Sequence, residues 1–132
     1  MPLLPPEMNR AREPIHRLLL VEDDPAIASG LVMLLQMDDI EVEVVTCGLG
    51  TVERIEAFAP DAVVLDVGLP DISGITVYEQ IARRWPSLPV LFSTGHGDEK
   101  LLTHVLARPN VGYLVKPYEG ESLLRALEKL RR

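Results

Sequence analysis

The sequence predicts a single α/β domain: a parallel sheet covered by helices on both faces. Three observations carry this reading. Five short apolar runs recur with almost no polar interruption, as strands buried on both faces require. Between them lie segments whose apolar residues fall at helical spacing. The length, 132 residues, suffices for one sizeable core but not two. No internal repeat and no second domain are visible.

Residues 1–16 stand apart. Pro2, Pro5, Pro6 and Pro14 lie beside Glu7, Arg10, Arg12 and Glu13, and proline both removes backbone donors and disfavours helix. This stretch is expected to be a flexible Pro-rich tail, with the folded domain spanning 17–132. It lacks the apolar centre of a secretory signal. The first strand, Leu18 to Val21, ends abruptly in Glu22, Asp23 and Asp24. Pro25 suits a first helical position with Asp24 as its cap, and Ile27, Leu31, Leu34 and Leu35 form the apolar stripe of that helix. Glu41 to Val45, rich in valine, is the second strand. Val52, Ile55 and Phe58 mark a second helix, stopped by Pro60. Ala62 to Leu65 is the third strand, ending in Asp66. Ile75, Tyr78, Ile81 and Ala82 mark a third helix, closed by Trp85-Pro86. Val90 to Phe92 is the fourth strand, ending in Ser93-Thr94-Gly95. Leu101, Leu102, Val105 and Leu106 predict a fourth helix. Tyr113 to Val115 is the fifth strand, ending in Lys116-Pro117, and Leu123, Leu124, Leu127 and Leu130 predict a closing helix. Right-handed crossovers leave few ways to connect five such strand–helix units.

Composition narrows the function. The chain carries 13 Lys+Arg and 20 Asp+Glu, a formal charge of −7. An acidic domain is a poor partner for nucleic acid or an anionic membrane, both of which select basic faces. No apolar run approaches the roughly 18 residues of a membrane span. The lone cysteine, Cys47, cannot form an internal disulfide, which suits a reducing compartment, and a cytoplasmic location is expected. His16 and His104 lack zinc-site spacing.

The polar residues are placed informatively. Glu22 and Asp23 follow strand one, Asp66 follows strand three, Thr94 strand four and Lys116 strand five. In an open parallel sheet all strand carboxyl ends share one edge, where ligands bind. Three carboxylates crowded there repel one another unless a cation neutralises them, and hard oxygen ligands suit Mg2+. A lysine and a hydroxyl beside them suggest an anion, with phosphate the best fit. Asp66 is then a candidate nucleophile, because a carboxylate can form an acyl phosphate. Taken singly, each residue has a plainer reading: Glu22-Asp23-Asp24 as a helix cap, Asp66 and Thr94 as loop residues, Lys116 as a solvated cation, Tyr113 as a strand-edge aromatic. Their joint placement at four strand ends is what carries the chemistry.

Leu18-Leu-Leu-Val-Glu-Asp-Asp-Pro, Asp61-Ala-Val-Val-Leu-Asp-Val-Gly-Leu-Pro-Asp-Ile-Ser-Gly, Pro89-Val-Leu-Phe-Ser-Thr-Gly and Gly112-Tyr-Leu-Val-Lys-Pro-Tyr together resemble the receiver domains of two-component response regulators. The resemblance runs from about Arg17 to the C-terminus. It implies a flavodoxin-like (βα)5 three-layer sandwich with strand order 2-1-3-4-5. It also implies that Asp66 accepts a phosphoryl group from a sensor histidine kinase or a histidine phosphotransfer protein. Glu22, Asp23, Asp66 and the main-chain carbonyl of Gly68 would hold Mg2+, and Lys116 would pair with the phosphoryl oxygens; the Lys116–Pro117 bond is often cis in such domains. Thr94 and Tyr113 match a switch pair that biases the face formed by helix 4, strand 5 and helix 5, where partners dock and where a homodimer would form.

Four positions depart from or tune the pattern. Gly95 stands where another small residue is commoner. Glu22 replaces the commoner aspartate, which leaves direct and water-mediated metal contact both open. Gly68 and His96 occupy the places that tune phosphoryl lifetime, and His96 is expected to alter it. Only Arg131-Arg132 follows the closing helix, so a stand-alone receiver is expected. It would signal by phosphorylation-dependent contact with a downstream protein or by phosphorelay, without direct nucleic-acid binding, membrane insertion or separate substrate turnover. Competing readings are a phosphohydrolase, disfavoured because Gly68 stands where a second acid is needed; a binding module that never takes phosphate; and a flavin binder, disfavoured by the acids after strand one.

Overall fold

The run Leu18–Val21 has no polar side chain, so it can only be a strand with protein on both sides, and all four residues are buried. The computed structural model describes residues 15–95 and 97–130. In chain order these form β1 (Arg17–Val21), α1 (Pro25–Met37), β2 (Glu41–Val45), α2 (Thr51–Phe58), β3 (Ala62–Asp66), α3 (Gly74–Arg84), β4 (Val90–Thr94), a 3₁₀ helix (Asp98–Leu102), β5 (Val111–Val115) and α4 (Gly120–Lys129). Every strand pair is parallel, and the sheet order is β2-β1-β3-β4-β5. This is the flavodoxin-like α/β fold. The interior strands β3 and β4 are buried throughout, whereas the edge strands β2 and β5 are half-buried. Glu41 and Glu43 line the β2 edge and pair with Arg17 and Arg54, charges that discourage sheet extension.

Because side chains alternate along a strand, each strand feeds two cores. Leu18, Leu20, Val64 and Leu91 pack with Leu31 and Leu35 of α1 and with Leu123 and Leu127 of α4. Leu19, Leu65 and Phe92 pack with Ile55 of α2, Val77 and Ile81 of α3, and Leu102. The α1 start follows its sequence signature: the Asp24 carboxylate accepts from the Ala26 and Ile27 amides at 2.9 and 3.2 Å, with Pro25 at the first turn. Ser73 caps α3 by accepting from the Ile75 amide at 3.1 Å.

One element differs from expectation. The predicted fourth helix is not an α-helix: Asp98–Leu102 is 3₁₀, and turns continue to β5. Its start, Gly97, is left-handed (φ 94°) and supplies no side-chain cap. The Thr103 hydroxyl donates to the Lys100 carbonyl at 2.9 Å, competing with regular helix bonding, and Pro109 limits extension at the far end. Leu102 and Val105 are buried all the same, whereas Leu101 is 54% exposed, so the apolar spacing foretold part of the burial and not the helix type.

The tail expected over 1–16 lies outside the described residues except for Ile15 and His16. The amides of His16 and Arg17 both donate to Asp61 Oδ2 at 2.8 Å, and Ile15 packs on the α1/α4 core. No described helix is long and apolar enough to cross a membrane.

Two loop contacts shape the carboxyl edge of the sheet. Gly74 opens α3 pressed against the end of β3, where a Cβ would overlap the Asp66 carbonyl oxygen. The Asp71 carboxylate accepts from the Gly48 and Leu49 amides at 2.8 and 2.7 Å, clamping the loop after β3 to the loop after β2. Those amides hold its pKa below the usual aspartate range.

Gly74→Ala is expected to cost about 1–3 kcal/mol by forcing backbone apart, read as a lowered urea midpoint. Asp71 contributes stability that is present above the ordinary aspartate pKa of about 4 and lost as pH falls through its lower folded value. Asp71→Asn should therefore be less stable than the parent at neutral pH, with the gap closing in acid; a gap constant across an acid series of unfolding curves would contradict the assignment.

Candidate functional site

Register builds the site. Val21 pairs with Leu65, so the next residues, Glu22 and Asp66, emerge side by side at the carboxyl edge. Carboxylate oxygens of Glu22, Asp23 and Asp66 all lie within 4.8 Å of one another. Glu22 and Asp66 are 2% and 5% exposed, while Asp23 is open to solvent. Lys116, just beyond β5, reaches across: its Nζ is 2.9 Å from Asp66 Oδ2 and 3.0 Å from Glu22 Oε1. The Lys116–Pro117 bond is cis, and the Lys116 amide donates to the Thr94 carbonyl at 2.7 Å. Glu22 also accepts from the Asp24 amide at 3.1 Å, and Asp66 Oδ1 from the Gly68 amide at 3.1 Å.

The electrostatics follow from this crowding. Burial pushes the Glu22 carboxyl above its usual range, with the Asp24 amide and Lys116 offsetting only part of the effect. Burial acts on Lys116 in the opposite sense, but its hydrogen bonds to Asp66 and Glu22 outweigh it and the pKa is raised. The ammonium therefore stays charged between two acids. Its three donors serve two carboxylates in the described contacts, leaving one for a further acceptor. The all-oxygen set of Glu22, Asp23 and Asp66 can hold a hard metal ion.

The structure thus gathers Glu22, Asp23, Asp66 and Lys116, with Gly68 touching Asp66 through its amide. Thr94 is fully buried, its hydroxyl donating to the Gly95 carbonyl at 3.1 Å. Tyr113 is not in the cluster: it stands 41% exposed on the edge strand, opposite Phe92 in register. His96 lies outside the described residues. One contact escaped the sequence reading. The Ser93 hydroxyl donates to the Tyr118 hydroxyl at 3.1 Å, and the available signal was a serine following three apolar residues in a strand buried throughout. A separate open cleft of about 670 Å³ at the opposite edge, lined by Ile55, Pro60, Arg84 and Trp85, contains none of the predicted site residues.

Comparison with known proteins agrees with this geometry. Residues 18–128 match the family described as response regulator receiver domain. The transcriptional regulatory protein CreB of Escherichia coli is 37% identical over 115 residues, covering 86% of this chain and 49% of that protein. TrcR of Mycobacterium tuberculosis is 30% identical over 127 residues, covering 96% of this chain and 49% of its own. The chain spans about half the length of these curated relatives. Among solved structures, the receiver domain of NtrX from Brucella abortus superposes with a TM-score of 0.75 at 26% identity, covering 84% of this chain and 98% of its own. The Vibrio cholerae chemotaxis protein CheY4, at 24% identity, shares the fold with a TM-score of 0.80, covering 88% and 98%. With a family match across nearly the whole described domain and a carboxylate–lysine cluster at the carboxyl edge of its sheet, this chain belongs to the response regulator receiver domains of two-component signalling.

Proposed function

We propose that the chain accepts a phosphoryl group on Asp66 from a phosphohistidine of a sensor kinase or phosphotransfer protein, and signals through phosphorylation-dependent contact with a downstream protein or by phosphorelay. The observation that carries this reading is the Lys116 ammonium 2.9 Å from the Asp66 carboxylate with Glu22 and Asp23 beside it. In the transfer, an Asp66 carboxylate oxygen forms a bond to phosphorus, the phosphorus–nitrogen bond breaks, and its electron pair returns to the imidazole. The remaining Lys116 donor receives a phosphoryl oxygen. The Thr94 hydroxyl leaves the Gly95 carbonyl for a phosphoryl oxygen, and Tyr113 follows on the same face of the sheet.

The oxygen donors suit Mg2+, with Glu22, Asp23, Asp66 and the Gly68 carbonyl as its holders. When bound, the ion supplies neutralising charge to the phosphoryl oxygens. The chain acts as a phosphoacceptor without separate substrate turnover, as a cytoplasmic receiver. The docking and homodimer face comprises the 3₁₀ segment, β5 and α4, and Gly68 and His96 set phosphoryl lifetime.

Incubation with phosphoramidate and Mg2+ should add one phosphoryl mass to the parent and none to Asp66→Asn; an unmodified parent, or a modified variant, overturns the assignment. Asp23→Asn separates metal binding from folding. It should abolish Mg2+ binding by calorimetry, yet raise metal-free stability by less than about 1 kcal/mol through relief of like-charge repulsion.

A further inference from the structure

The hydroxyl pair of buried Ser93 and half-buried Tyr118 has no part in the roles assigned so far. Ser93 is 2% exposed and pairs in register with Asp66, so both side chains leave the same face of the sheet. The Tyr118 ring packs on the α1/α4 core beneath the site. Its hydroxyl lies within the field of Lys116, Glu22 and Asp66, and burial raises its pKa. An apolar pair of the same shape would fill this space without loss of stability, so packing alone does not account for two hydroxyls.

Their positions in the chain do. Ser93 immediately precedes Thr94, and Tyr118 lies two residues after Lys116. The end of β4 is a junction: the Ser93 carbonyl accepts from the Val67 amide at 3.0 Å, the Thr94 carbonyl from the Lys116 amide at 2.7 Å, and the Ser93 hydroxyl donates to Tyr118 at 3.1 Å. Lys116 is therefore fixed by a main-chain bond on its own residue and by a side-chain bond beyond the cis-proline turn.

We propose that Ser93 and Tyr118 are positioning residues for phosphoryl transfer, a hydroxyl latch that holds the Lys116 turn so that its ammonium meets the phosphoryl oxygens without reorganisation. This rests on the reading of Asp66 as phosphoacceptor. Holding a charge in place before it is needed is the chief means by which such a site lowers a barrier. The Ser93 and Tyr118 hydroxyls bond to each other and not to the three carboxylates, so removing the latch takes no ligand from the metal, and a loosened Lys116 would not weaken its binding.

The test uses the parent, Tyr118→Phe, Ser93→Ala and the double variant. Three quantities are measured for each: the rate of phosphorylation by phosphoramidate in saturating Mg2+, the Mg2+ affinity, and the urea midpoint. Each single variant should react about fivefold more slowly, the equivalent of one neutral hydrogen bond. The double variant should be no slower than the slower single, and Mg2+ affinity should not fall. Parent-like rates in both singles, multiplicative losses in the double, or Mg2+ affinity falling in step with rate overturn the latch while leaving Asp66 as acceptor. A parent that takes no phosphoryl group overturns the acceptor reading and the latch with it.

Discussion

The attraction between one ammonium and two buried carboxylates is the interaction on which the site depends. Glu22 and Asp66 are almost wholly removed from water, and an ionised carboxylate so placed costs several kcal/mol unless it is paired and hydrogen-bonded. Lys116 is the cation that touches both. Asp23 adds a third negative charge from the solvent side, so the cluster remains short of positive charge. A divalent ion from outside would correct such a deficit, and the resulting field would suit a dianionic phosphoryl group.

Holding like charges together requires a scaffold that does not yield. The two-sided core supplies it: β3 is buried from end to end, with α1 and α4 on one face and α2 and α3 on the other. The carboxyl end of β3 is braced further by Gly74 against the Asp66 carbonyl and by the Asp71 clamp between loops. Neither contact reaches the reacting atoms. Both limit how far Asp66 can retreat from its neighbours.

Much of this was legible in the sequence because burial leaves a direct trace. Unbroken apolar runs such as Leu18–Val21 and Ala62–Leu65 have one structural solution in a domain of this size, and the polar residues that end them fall on one edge as a consequence of parallel strands. Less legible was whatever depended on competition between local bonds. Leu102 and Val105 of the predicted fourth helix are buried as the spacing implied and Leu101 is not, while the Thr103 hydroxyl and the uncapped start at Gly97 decide its 3₁₀ form, and neither leaves a periodic signal. The Ser93–Tyr118 bond was equally hidden, since it joins residues that are 25 apart and distinguishable from packing only by two oxygen atoms. Tyr113 was identified by position, yet its outward stance on β5 is a matter of rotamer and packing that sequence does not encode.

The alternation of side chains along β4 divides labour between neighbours. Ser93 shares the face of Asp66, whereas Thr94 shares the face of Phe92 and points toward the side where Leu102 and Val105 are buried. Two consecutive residues thus look into different halves of the molecule, joined by a single planar peptide group. A rotation of that group would reach both faces of the sheet at once, with no relay of side chains through the core.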